Sequence, residues 1–585
     1  MQKHPHSLRN SLILATVITV MSVPGFAAAQ GVAGPYLGAQ HAEIRGDVAN
    51  AARLYTQTLA RDPDNERVME RAMINQIAAG EVADGIALAR RYEAVQPGHN
   101  LGVLAIVAGE IKADNLSNVR TLLAADGPFV AQVIDAWAAF ETGDMQSARD
   151  LLTALESDDS NGRPGQIVSA YHLGLIEAAA GNDERAVEVL QRAAGLSDGG
   201  TLRLVRAQAS ALARLGRTEE AVGVINARLA GTYGDPAMQA LAVDIAEGLK
   251  PEATIRTAEQ GAAEVLFGVS GLLARGRNRL LGLAYARLAV YLDEELTRAQ
   301  LLIAQLLEQD QQYELALSAY DALPEDAPEA LAAGIGNAEV LQASGKVDEG
   351  IAAMREVLVR FPDALEAHTS LGNMLRRESR FEDAAVAYDG AVKLLGTIEP
   401  HHWGLLYQRG IALERSKQWD RAEADFRKAL ELEPDQPDVL NYLGYSLVEL
   451  GQKLEEAEKM IEKAVDQRPE DGYIVDSLGW VLYRFGEFER ATEHLERAVE
   501  LRPVDPVIND HFGDALWMVG RKTEARFQWR RALSFEPTDK DADRIRRKLE
   551  EGLDIILEEE KAEGLPGIIG RNSDTEGAEK TNDGG

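Results

Sequence analysis

The sequence predicts an all-α solenoid of stacked helix hairpins, and three observations carry that prediction. A unit of 34 residues repeats: Gly479 returns as Gly513, Ala491 as Ala525, Ala498 as Ala532 and Leu495 as Trp529. Within each unit apolar residues recur at the spacing of a helix face rather than a strand face. Prolines close successive units at Pro328, Pro362, Pro400, Pro434, Pro469, Pro503 and Pro537.

The stretch from Gly472 to Pro503 shows the physics of one unit. With Gly472 as position 1, Val475, Leu478, Gly479 and Leu482 stand at positions 4, 7, 8 and 11, one face of a first helix. Ala491, Leu495 and Ala498 make the facing stripe of a second helix. Small residues at positions 8, 20 and 27 let the backbones approach, so that side-chain ridges interlock. Gly486 ends the first helix, and Pro503 stops the second. One hairpin cannot bury its apolar face alone; stacked hairpins bury it together.

These positions resemble the tetratricopeptide repeat, with its Leu-Gly, Ala, aromatic or Leu, Ala and Pro. The resemblance implies a right-handed superhelical solenoid whose concave face binds proteins or peptides.

Taken in order, residues 1–29 read as a secretory signal peptide. Lys3 and Arg9 precede the apolar run from Ser11 to Val23, Pro24 and Gly25 break it, and Ala27-Ala28-Ala29 offers a cleavage site before Gln30. The expected location is periplasmic, with no transmembrane segment in the mature chain. Residues 30–235 are expected to form an N-terminal array, partly degenerate, with Gly46, Gly143 and Gly216 at its turns. Residues 236–260 break the rhythm with a helix of no obvious partner and a connector. The C-terminal array is expected over residues 261–538. It opens with an atypical hairpin whose turn carries Arg275, Arg277 and Arg279. Glycine occupies position 8 in five consecutive units, as Gly372, Gly410, Gly444, Gly479 and Gly513, with extra residues placed in loops at Gly396 to Pro400 and near Gly451. Residues 539–562 are expected as one capping helix, striped by Ala542, Ile545, Leu549, Leu553 and Ile556, and residues 563–585 as a disordered tail.

Composition bounds the function. A net charge of −33 over 585 residues argues against nucleic acid or an anionic membrane surface as the ligand. With no cysteine there is no disulfide, zinc thiolate, catalytic thiol or lipid-attachable residue. His-Glu-x-x-His, the phosphate-binding Gly-x-x-x-x-Gly-Lys and the Gly-x-Ser-x-Gly turn are all missing from the sequence. His401-His402 is the most tempting pair for a metal, but adjacent histidines alone do not define a site. The reading is therefore of a chain that is not an enzyme, with no cofactor and no metal.

In the tetratricopeptide family, positions near 2, 5, 9, 12 and 13 of each first helix line the groove. Carried over, they assign the partner-binding groove to Asn373, Tyr407, Asn441, Tyr445, Asp476, Trp480, Tyr483, Arg484, Asp510, Asp514 and Trp517. Rigid aromatics and arginine are the usual interface anchors. Trp529 is expected in the repeat core, whereas Trp480 and Trp517 are expected to face the groove. Asp476, Asp510 and Asp514 are expected to cluster and to suit a basic or hydroxyl-rich segment. Thr369 and Tyr407 stand where a carboxylate-clamping lysine would be, so binding of chaperone C-termini is not implied.

The run from Asn441 to Leu533 resembles proteobacterial envelope proteins of this repeat class, through Asn441-Tyr442-Leu443-Gly444-Tyr445, Asp476-Ser477-Leu478-Gly479-Trp480 and Gly513-Asp514-Ala515-Leu516-Trp517. One branch of that group is a lipoprotein adaptor for a C-terminal-processing protease; this chain departs from it in lacking the lipidated cysteine. The resulting expectation is a periplasmic scaffold for protein or peptide partners, with a periplasmic protease or its substrates as the specific partner. The alternatives are an assembly component for envelope biogenesis or polysaccharide export, and an enzyme with an unrecognised site.

Overall fold

A computed structural model describes residues 31–123, 127–197, 199–230, 235–276, 278–563 and 567–569. The leader expected over residues 1–29, Arg277 and most of the expected tail lie outside the described residues. Among the described residues the secondary structure is helical throughout, with no strand, and no helix is long and apolar enough to cross a membrane. The chain divides into two compact units, Met1–Ser344 and Gly345–Gly585.

The second unit is a run of antiparallel hairpins. First helices Leu365–Arg377, Trp403–Arg415, Pro437–Glu449, Gly472–Arg484 and Pro506–Met518 each pack on the second helix that follows. The position-8 glycines explain how closely. A Cβ on Gly479 would stand 2.6 Å from Leu495 Cγ, one on Gly513 2.4 Å from Trp529 Cδ1, and one on Gly372 2.5 Å from Tyr388 Cε1. Each glycine is therefore the slot for the bulky residue of its own second helix, and the missing side chain lets ridge enter groove. Ala491, Ala498, Ala525 and Ala532 are fully buried at the same crossings.

The turn between helices demands the left-handed region at position 15. Gly451, Gly486 and Gly520 meet that demand with φ of 66°, 80° and 82°, but Ser379 and Lys417 hold φ of 57° and 63° with a side chain. The inserted residues before the Trp403 helix form a short 3-10 turn, Pro400–His402. Here His402 caps rather than ligates: the Glu399 N–H donates to its Nδ1 at 2.8 Å.

In the first unit, helices Glu66–Ala79, Asn100–Lys112, Phe129–Glu141 and Gly162–Ala179 line one side of the array. The atypical hairpin, Ala258–Ala274 and Arg279–Leu292, lies along that side and packs on these first helices. One apolar cluster joins Met73, Leu104 and Trp137 of the array to Ala262, Leu266, Leu283 and Leu288 of the hairpin. Gly261 permits the closest approach, since a Cβ there would stand 2.1 Å from Trp137 Cδ2. Polar contacts seal the edges. Tyr171 donates to Glu264 at 2.9 Å, Arg203 pairs with the same carboxylate, and Lys112 Nζ reaches Glu259 at 2.9 Å. Trp137 Nε1 donates to His172 Nδ1 at 3.0 Å, and burial pushes that imidazole down to about 3.

Two further departures from expectation have simple causes. Helix Pro236–Ala246 does have a partner: Met238, Leu241 and Ile245 pack with Leu212, Ala221 and Ile225 of the preceding hairpin. The expected single capping helix is two, Asp539–Glu551 and Leu553–Ala562, because Gly552 takes φ 93° between them and leaves the helical region.

Candidate protein-binding groove

The 34-residue offset sets corresponding residues of neighbouring first helices side by side. Asp476, Asp510 and Arg544 share one row, Trp480, Asp514 and Lys548 a second, and Tyr483 and Trp517 a third. Arg544 and Lys548 belong to the penultimate helix Asp539–Glu551, which thereby continues the series of first helices.

Trp480 forms the middle of an aromatic stack. Its ring lies 4.8 Å from Tyr483 at an interplanar angle of 9°, and 4.0 Å from His511 at 16°. His511 Nδ1 stands 3.1 Å from both carboxylate oxygens of Asp476. Burial alone would lower the His511 pKa, but Asp476, with Asp510 and Asp514 beyond it, outweighs burial and leaves it raised. The stack is tied to the previous repeat through Glu449, which accepts from Trp480 Nε1 at 3.2 Å and from Arg484 Nη1 at 2.5 Å.

The acidic cluster exists, and the chain itself supplies its cation. Lys548 Nζ is fully buried and lies 2.8 Å from Asp510 and 2.7 Å from Asp514. Arg544 adds 3.3 Å to Asp514 and 2.6 Å to Glu560, and Trp529 Nε1 donates to Asp514 at 2.9 Å. Burial favours the neutral acid at Asp514, but Lys548 and Arg544 outweigh it and hold the carboxyl below its ordinary range. The basic segment expected at these aspartates is thus already present in the fold.

Exposure separates the assigned residues. Trp529 is fully buried, as expected; Trp517 is 6% exposed and Tyr483 and Arg484 are each 2% exposed, so these three are covered as well. Over Trp517 lie Lys522, with Nζ 4.3 Å from the ring centre, and Gly552, where a Cβ would stand 3.0 Å from Cζ2. Asn373, Tyr407, Asn441, Tyr445 and Trp480 are half-buried. Asn373 accepts from Tyr388 at 2.7 Å, and Tyr407 packs edge-on against Tyr442 at 6.1 Å. Burial, with Asp438 adding to it, pushes the Tyr407 hydroxyl up to about 12.

Sequence reasoning missed His511, Glu449, Arg544 and Lys548. The last two were within reach, since each stands 34 residues beyond an assigned aspartate. The chemistry on offer is stacking, hydrogen bonding and charge pairing. Asp476 is the hydrogen-bond partner of His511, and no hydroxyl joins them among the described residues. No group of three or more metal-ligating side chains occurs there either.

Comparison with known proteins agrees with this architecture. A tetratricopeptide repeat model matches residues 335–396 and 445–506, and a second matches residues 403–436. A TPR repeat-containing protein of Pseudomonas aeruginosa is 30% identical over 165 residues, which is 28% of this chain and 27% of that protein. Protein O-mannosyl-transferase Tmtc1 of Drosophila melanogaster is 29% identical over 103 residues, 17% of this chain and 12% of that one. The chain thus spans about a quarter or less of the length of these relatives. Among solved structures, a tetratricopeptide repeat protein from Parabacteroides merdae shares 16% identity at a TM-score of 0.37, covering 43% of this chain and 97% of that one. YrrB, described as a TPR protein with an unusual peptide-binding site, shares 19% at a TM-score of 0.26, covering 33% of this chain and 98% of its own.

Proposed function

Since the chain is a tetratricopeptide-repeat protein, we propose that it acts as a non-catalytic scaffold that receives protein or peptide partners on the first helices of its second unit. The row from Asn373 and Tyr407 through Asn441, Tyr445 and Trp480 offers the entry surface, with Asp476, Tyr483, Arg484, Asp510, Asp514 and Trp517 forming its supporting wall. The observation that carries this reading is the Tyr483–Trp480–His511 stack, a rigid aromatic shelf beside carboxylates on a half-open face. In the first unit the equivalent side is filled by the hairpin Ala258–Leu292, whereas the second unit keeps its row half-buried.

The setting we propose is the periplasm, reached through a leader cleaved before Gln30, and the specific partner a C-terminal-processing protease or its substrates. Support for the setting is the charge and apolar pattern of residues 1–29. Affinity capture from envelope extract tests both parts. Intact chain is expected to retain a protease or its substrates, and Trp480→Ala to lose them by roughly 30-fold in affinity, the usual effect of truncating an aromatic anchor. Recovery of export machinery would favour the assembly alternative, and equal capture by Trp480→Ala would refute the groove.

A further inference from the structure

Near the end of the described chain, three residues lie across the Trp480 helix in a way that no repeat packing requires. The Gly567 carbonyl accepts from Arg484 Nε at 2.7 Å, and the Ile569 N–H donates to the Arg484 carbonyl at 2.7 Å. One residue, Arg484, thus grips two peptide groups on either side of Ile568, once through its side chain and once through its backbone. Its carbonyl belongs to the last turn of helix Gly472–Arg484, where intrahelical donors have run out. Ile568 itself reaches toward the turn, its Cγ2 3.8 Å from where a Cβ on Gly486 would stand.

The clamp is built. Arg484 is 2% exposed and its guanidinium is fixed by Glu449 at 2.5 Å, on the preceding first helix. One polar atom of the grip itself has no hydrogen-bond partner among the described residues: Arg484 Nη2, on a side chain more than nine-tenths buried. A donor left over beside a gripped strand is what a longer or better-fitting segment would use, since a buried unpaired donor is costly.

We propose that Arg484 is a backbone clamp for an extended segment, that Gly567–Ile569 fills it in cis, and that an incoming partner segment must displace those residues. The proposal rests on the groove reading above and adds a specific occupant and regulation to it. The clamp holds the peptide groups while the Ile568 side chain faces the Gly486 turn, so the matching ligand is an extended stretch with a small residue followed by aliphatic ones, the chemistry of Gly567-Ile568-Ile569. A tethered segment competes at an effective concentration of the order of millimolar, so if its own dissociation constant is about 0.1 mM it raises the apparent Kd of an incoming ligand by roughly ten-fold.

The test uses the full chain and a labelled peptide copying residues 563–573, followed by fluorescence anisotropy. Ile569→Pro removes the donated N–H, and Ile568→Asp makes the segment a poor fit; both lie outside the repeats, and melting curves check that the fold is intact. Each variant is expected to bind the peptide about ten-fold more tightly than the unaltered chain, and adding Arg484→Gln to Ile569→Pro to abolish that gain. Equal binding by the unaltered chain and the segment variants overturns cis occupancy, and no binding by any of them overturns the clamp. Partner capture that depends on Trp480 but is unchanged by Ile569→Pro leaves the groove reading standing and sinks this proposal alone.

Discussion

Lys548 is fully buried between Asp510 and Asp514, and removing it strands two carboxylates in a low-dielectric interior. Lys548→Ala is expected to cost about 3–5 kcal/mol of local stability, well beyond the value of a surface ion pair, because two buried carboxylates are left to share Arg544 as their only ion-pair partner among the described residues. Urea titration followed by hydrogen exchange on helix Pro506–Met518 would register it. Two histidines should show opposite pH signatures. The raised pKa of His511 means its imidazolium contribution is complete below the unfolded value of about 6.5 and is lost as pH rises through the folded value. His172, pushed down to about 3, is neutral in the fold, so its contribution is lost as pH falls from about 6.5 toward 3. Melting of the Gly472–Met518 region should therefore come earlier on the alkaline side, and His511→Gln should flatten that trend; an unchanged profile would show that the Asp476–His511 pair carries no charge. The aspartate cluster was legible in the sequence and Lys548 lay within reach at the 34-residue offset, but the Asp476–His511 pair was not, because His511 carries no repeat signature of its own.

At the scale of helices and turns, the repeat was legible because its constraints are local. Gly513 had to be small, and the structure gives the reason in the 2.4 Å that a Cβ would leave to Trp529. Position 15 yields a sharper prediction. Lys417 is exposed and holds φ 63° in a turn where sister repeats use glycine. Lys417→Gly should therefore stabilise its hairpin by a net ~0.5–1 kcal/mol, the relief of left-handed strain less the greater entropy lost by glycine, read as a higher urea midpoint. The opposite sign would mean the turn is not strained. The hairpin Ala258–Leu292 was legible as a hairpin but not in its placement. Its cue was composition: helix Ala258–Ala274 is apolar nearly all round, with Ala262, Val265, Leu266, Phe267 and Leu273 on several faces, and such a helix must be covered on more than one side. Gly261→Val would drive a side chain into Trp137 and should unseat the hairpin, seen as faster exchange in helices Glu66–Ala79, Asn100–Lys112 and Phe129–Glu141 with the second unit unaffected. The single capping helix failed as an expectation for a related reason. The apolar stripe continues through Gly552, but a glycine with positive φ costs little there and lets the chain turn.

For the molecule as a whole, the two units use the side lined by first helices differently. In the first, that side is a core, closed by the chain's own hairpin. In the second, it ends in a self-supplied cation cluster and the Arg484 clamp, with the half-buried row from Asn373 to Trp480 leading up to them. A net charge of −33 adds a general preference for partners that are not themselves strongly acidic. The central claim is that partners bind on the first helices of the second unit, and hydrogen exchange of the intact chain with and without a captured partner tests it most directly. Slowed exchange is expected in helices Trp403–Arg415, Pro437–Glu449 and Gly472–Arg484, with no change in Glu66–Ala79 or Asn100–Lys112. Protection confined to the second helices Trp419–Leu432, Leu454–Gln467 and Phe488–Leu501, or to the first unit, would contradict it.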